Sequence, residues 1–141
     1  MLADGQVRDD VTITDGSFTL SIAASKVAIG FGYIARYLSM PIEGGSRDGV
    51  SQGKPGRIAR ATLRLDQTGE GLYIGPNLSQ MVPIPFRVPG DEMDTVIPLY
   101  DGDTAELSVP AKNTTRRTFA IEHRTPLPCT VVGAFLRLEA A

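Results

Sequence analysis

The chain has one cysteine, one histidine and no tryptophan in 141 residues. Cys129 has no second cysteine to pair with, which excludes a disulfide framework within these residues. With His123 as the lone histidine, a thiolate or multi-histidine zinc site is excluded as well. Charge of one sign is also missing. Lys+Arg 14 against Asp+Glu 16 leaves a net charge of -2. A polycation that grips nucleic acid by phosphate neutralisation alone is therefore ruled out. No apolar run reaches the ~18 residues of a membrane-spanning helix. The first ten residues carry Asp4, Asp9 and Asp10 without an apolar stretch, so they do not read as a secretory signal.

What is present is a globular composition with dense punctuation. Hydrophobic residues make up 42% and charged residues 21%, which excludes disorder as the state of the bulk of the chain. At this length one domain buries roughly 68–70% of its unfolded surface, and the expectation is a single β-domain over residues 1–141. Gly 15 and Pro 10 sit between apolar runs. The longest stretches free of both, 17–29, 57–68 and 111–125, carry no sustained apolar stripe at helical spacing.

Alternation fits better. Val7, Val11 and Ile13 share one parity before Asp15-Gly16; Phe18, Leu20 and Ile22 share one after it. Two alternating runs around Asp-Gly predict a hairpin with a type I′ turn. Val27, Ile29, Phe31, Tyr33 and Tyr37 continue the pattern, with Gly30 and Gly32 marking a bulge or bend. Residues 57–65 predict a strand with Ala59, Ala61, Leu63 and Leu65 on one face. Its partner is expected at 72–74. Phe119 and Ile121 oppose Glu122 in another strand, and the apolar run 130–138 reads as a central strand buried on both faces. The sum is an all-β fold of about eight short antiparallel strands, a sandwich or a barrel-like domain. Residues 41–55, 76–98 and 100–105 read as loops rich in Pro, Gly and turn-forming Asp. Asp4-Gly5 is a further turn signal whose first arm has only three residues. It is either a short first strand or the remnant of a hairpin cut from a longer polypeptide.

Chemistry-bearing constellations are sparse. His123, in Glu122-His123-Arg124, could shuttle a proton, but the favoured reading is a strand-surface histidine; Cys129 reads as a buried, inert thiol. Asp91, Glu92 and Asp94, and Asp101 and Asp103, are loop carboxylates that could hold calcium. They miss the EF-hand spacing and also suit plain turns. Gly53-Lys54-Pro55 is no phosphate-binding loop, because proline replaces the hydroxyl residue. Asn113-Thr114-Thr115 matches a glycosylation acceptor by chance. No catalytic, metal or cofactor residue is assigned. Arg57, Arg60 and Arg64, with Arg47, Lys54 and Arg87 on the loops, are the candidate partner contacts; Arg116-Arg117 reads as solvated surface.

Several segments taken in order carry a resemblance. They are 27–35, Ser51-Gln52-Gly53-Lys54 running into 57–65, Pro85-Phe86-Arg87-Val88-Pro89-Gly90-Asp91, Leu99-Tyr100-Asp101-Gly102-Asp103, and Pro126-Leu127-Pro128-Cys129-Thr130-Val131. Together they resemble the C-terminal β-domain of tail nozzle, tubular or stabilisation-type proteins of short-tailed bacteriophages and prophages. The similarity runs from about residue 3 to 139, with Gly-Phe-Gly-Tyr at 30–33 where that family more usually has Gly-Leu-Pro-Tyr. Family members are much longer, so the resemblance implies one excised domain. It implies a non-enzymatic virion module in the tail, made in the bacterial cytoplasm. It further implies a ring oligomer, hexameric, beside adaptor and other tail proteins, with DNA only as passing cargo. A mildly acidic wall suits such a conduit, since a basic one would retain DNA. Two other readings are a carbohydrate- or receptor-binding sandwich, disfavoured by the lack of Trp and by Phe18, Phe119 and Phe135 at inward-looking positions, and a hydrolase using His123.

Overall fold

The computed structural model describes residues 1–46, 49–50, 53–93 and 95–140. Among these the chain is all-β and antiparallel, a sandwich-like fold without helix. In chain order the strands are β1 (Leu2–Ala3), β2 (Gln6–Val7), β3 (Val27–Ala28), β4 (Ala35–Leu38), β5 (Gly45–Ser46), β6 (Gly49–Val50), β7 (Gly56–Thr68), β8 (Leu72–Gly75), β9 (Val82–Pro83), β10 (Tyr100–Asp103), β11 (Leu107–Ser108), β12 (Ala120–His123) and β13 (Thr130–Ala140). Thirteen strands stand where about eight were expected, because seven of them hold only two residues.

Two sheets face each other. In the first, β7 is central: β13 runs along one edge, while β10 and β11 follow one another along the other. The second has the order β4-β12-β8-β9. Ile58, Ala61, Leu63 and Leu65 of the first sheet meet Leu72, Ile74, Phe119 and Ile121 from the second, and Ile84 and Val109 complete the core. Alternation places these residues inside, as expected for 61–65. It breaks at Ala59, where the β13 register skips a residue, so Ile58 rather than Ala59 faces the core. Such a bulge shifts facing by one residue, which strict alternation does not anticipate.

Three expectations about strand placement change. Residues 72–74 do not pair with β7. The chain arches across to the opposite sheet, and β8 pairs with β12 and β9. Gly71, at φ 95°, makes this arch possible: a Cβ there would lie 2.3 Å from the Thr125 methyl. The run 130–138 is an edge strand, not a central one; among the described residues it pairs with β7 alone, leaving Val132 and Phe135 exposed. Its apolar residues on the inner parity, such as Ala134 and Leu136, supply the core side. Tyr100–Asp103 is a strand rather than a loop, bent by a bulge opposite Gln67. Residues 76–98 are mostly loop but contribute β9, whose Pro83 sits on the sheet edge where no ladder donor is needed. Residues 41–55 carry the small β5–β6 hairpin.

The N-terminal part is thinner. β1 lies between β2 and β3 in a separate three-stranded sheet, and Asp4-Gly5 does turn a hairpin, with two-residue arms. Asp4 accepts from the Ser25 and Lys26 amides, and these two bonds lower its carboxyl pKa. Asp15 and Gly16 both take positive φ, as the I′ turn requires, and Thr14 and Ser17 exchange two 3.0 Å bonds. The long arms expected around that turn are missing: Thr14–Ser17 is an isolated bridge. Ile13 and Ile22 on the apolar sides of the arms stay exposed, with no facing layer among the described residues. A hairpin without a second layer is marginal in water.

Candidate docking surface

Residues 29–40 form the most conspicuous surface of the chain. They lead from β3 through an irregular stretch with Gly30 and Gly32 into β4, then to the segment before β5. Phe31 is fully exposed, Tyr33 is 77% exposed and Met40 82%; Ile29, Ile34, Tyr37 and Leu38 are all exposed too. Taking ~150–250 Å² for a fully exposed aromatic and scaling by these exposures, the seven side chains offer on the order of 800 Å² to solvent. On β4 alternation divides it between two faces, because Tyr37 packs against Phe119 while Leu38 beside it points the other way.

The same segment ends in an open sheet edge. Among the described residues β4 pairs with β12 on one side only. The Ser39 amide donates to the Phe119 carbonyl at 2.9 Å, and the Phe119 amide donates to Ser39 Oγ at 2.9 Å. By antiparallel alternation, the N–H and C=O groups of Arg36 and Leu38 then point off the sheet, the pattern a further strand could extend. Tyr37 anchors the strand from below by ring contact with Phe119, centroids 5.7 Å apart.

The outer face behind this edge is held by ion pairs. Glu122 on β12 is buried, and its Oε2 accepts from Arg36 Nε at 3.0 Å while Oε1 accepts from Arg124 Nε. The Arg124 guanidinium lies 4.0 Å from the centroid of the Tyr73 ring. Arg124, with Arg36 beside it, holds the Glu122 carboxyl below its usual range although burial opposes this. The carboxylate thus stays charged and ties β4 to the interior of its sheet.

His123 is buried rather than on the strand surface. Thr125 Oγ1 donates to the Glu70 carbonyl and lies 3.1 Å from His123 Nε2. Burial lowers the His123 pKa, with a backbone bond to Glu70 opposing. Cys129, expected inside, is exposed at the entry to an edge strand, and partial desolvation raises its thiol pKa. Phe119 does face inward, but Phe135 lies on the outer face with the Arg64 guanidinium 5.2 Å from its ring centroid.

The candidate contact residues do not converge. Arg57, Arg60 and Arg64 line the outer face of β7, each paired with a carboxylate of the same sheet layer: Glu139 at 2.9 Å, Glu106 at 3.2 Å and Asp103 at 2.7 Å. Arg87 braces its own loop by donating to the Glu92 and Thr95 carbonyls. Lys54 is exposed before β7, and Arg47 lies outside the described residues, as does Asp94. Asp101 accepts from the Gln67 amide and Nε2, and Asp91 from the Val88 amide, so these carboxylates serve turns. Among the described residues no His, Cys, Asp and Glu side chains cluster as a metal site would need, and no helix is long and apolar enough to cross a membrane. The apolar arm was not anticipated from the sequence: its alternating residues predicted a half-buried strand. No protein-family model matches the chain, and no curated protein matches it significantly.

Proposed function

We propose that this chain is a non-enzymatic structural module of a short-tailed phage tail, a nozzle or tail-tube component that assembles with copies of itself around the path of exiting DNA. The observation that carries the reading is the exposed apolar arm running into an open sheet edge. A second copy that lays a strand against Arg36 and Leu38, and covers Phe31 and Tyr33, would satisfy both at once by β-augmentation. The ordered segments resembling tail proteins support the virion setting, and the paired outer face of β7 leaves little free positive charge there to hold DNA.

Electron microscopy of the parent polypeptide, or of particles containing it, tests this. The expected result is a ring at the tail end in which the arm of each copy lies against its neighbour; Phe31→Ser with Tyr33→Ser should then abolish rings while leaving the domain folded. Copies that never touch, or a variant that assembles normally, would overturn it. The exposed Phe31 and Tyr33 also favour a second reading, a carbohydrate- or receptor-binding module, since exposed aromatics stack on sugars. Reproducible glycan-array hits lost in the same variant, without rings, would put that reading first.

A further inference from the structure

The first sheet ends on β13, and among the described residues the outer edge of this 11-residue strand is unpaired. The Leu63 amide donates to Thr104 Oγ1 at 3.0 Å, and its carbonyl accepts from the Thr104 amide at 2.8 Å, so both groups point away from β13. Ala134 stands opposite Leu63 in the ladder. The two therefore form a non-hydrogen-bonded pair, and by alternation the N–H and C=O groups of Ala134, Leu136 and Leu138 point off the sheet. Their side chains pack on the core but are only partly buried, with no flanking strand among the described residues. On the outer face Phe135 is 53% exposed, and Arg137 is exposed beside it. The β7 arginines Arg57, Arg60 and Arg64 are each ion-paired, whereas Arg137 has no ion pair or hydrogen bond among the described residues. Edges are ordinarily blunted by proline, lysine or shortness; residues 133–138 have neither Pro nor Lys, and Arg137 is their one charge.

We propose that β13 pairs antiparallel with β13 of a second copy about a two-fold axis through Leu136, joining the two first sheets into one. The strand is complementary to itself in that register. On the core side Leu136 faces Leu136, and Ala134 faces Leu138, small against large. These are the hydrogen-bonded positions, worth about six backbone bonds. On the outer face Phe135 of each copy faces Arg137 of the other at the closer, non-hydrogen-bonded spacing, where the free guanidinium reaches the ring. An axis through Arg137 would set like charges opposite one another, and an axis through Phe135 would set Arg137 against Gly133. A strand of another protein has to supply this match, whereas a second copy carries it already. Such a contact closes at two copies. The inference uses a different edge from β4 and does not depend on the tail reading.

Sedimentation equilibrium of the chain tests it. The expected result is a reversible monomer–dimer step that persists in Phe31→Ser with Tyr33→Ser, which separates this contact from that of the arm. Phe135→Lys sets a second cation opposite Arg137 and should raise the dimer Kd at least about tenfold. Adding Arg137→Glu places opposite charges across the pair and should restore dimerisation. Urea unfolding checks each fold; if Phe135→Lys does not fold, Arg137→Glu alone, at an exposed position, should weaken the dimer in its place. A chain monomeric up to ~1 mM, a dimer lost with Phe31 and Tyr33, one that the charge variants leave unchanged, or one that the double variant fails to restore would each overturn the proposal.

Discussion

Replacing Glu122 with Gln keeps the side-chain volume and removes the charge that Arg36 and Arg124 share. The hydrogen bonds concerned join a buried carboxylate to two arginines whose side chains are 55% and 43% exposed. Buried bonds to charged groups are worth about 1.5–3 kcal/mol. Water reclaims part of the arginines' solvation once the carboxylate is gone, so the expected net loss is about 1–2 kcal/mol. For a domain of this size that is roughly 4–8 °C in Tm. The pH dependence gives a sharper check. Arg124 first, then Arg36, hold the folded Glu122 pKa below its ordinary 4.5. As pH falls, the unfolded chain therefore takes up this proton before the folded one. The stabilisation is full above 4.5 and is lost as pH drops through the folded value. Urea unfolding of the two proteins should show a constant gap from neutral pH down to about 5 that closes in stronger acid. A gap absent at neutral pH, or one that stays open in acid, would refute the role given to this carboxylate.

Two further outcomes follow from the core and from His123. Leu63→Ala, at a fully buried position between the sheets, should cost about 2–5 kcal/mol by urea unfolding; a loss under about 1 kcal/mol would contradict the facing of the two sheets. Burial lowers the His123 pKa from 6.5, so the unfolded chain binds the proton first and stability should fall as pH drops below 6.5, an effect that His123→Gln removes. Stability that rises on the same acid side would contradict the buried, neutral ring.

Much of the sandwich was legible because its core strand obeys alternation. Ala61, Leu63 and Leu65 face inward as read, and Phe119 and Ile121 sit in the core. The Asp4-Gly5 and Asp15-Gly16 turns both form with positive φ. What escaped the sequence is decided by partners distant along the chain. Nothing around Glu122 announces that Arg36, 86 residues away, covers it. The apolar run of β13 looks central from composition, yet only the topology decides that it has one neighbour. The 29–40 arm has the alternation of a half-buried strand, yet among the described residues nothing covers Phe31, Tyr33 or Met40. The Gly56–Thr114 bridge escaped for the same reason, since it joins residues 58 positions apart.

Amide hydrogen exchange at Arg36 and Leu38 tests the docking surface most directly, comparing the dilute chain with the assembled form taken from the particle or parent polypeptide. Both amides should exchange freely in the dilute chain and become strongly protected on assembly, together with loss of solvent access at Phe31 and Tyr33. Assembled material in which these amides exchange as fast as in the dilute chain would contradict it.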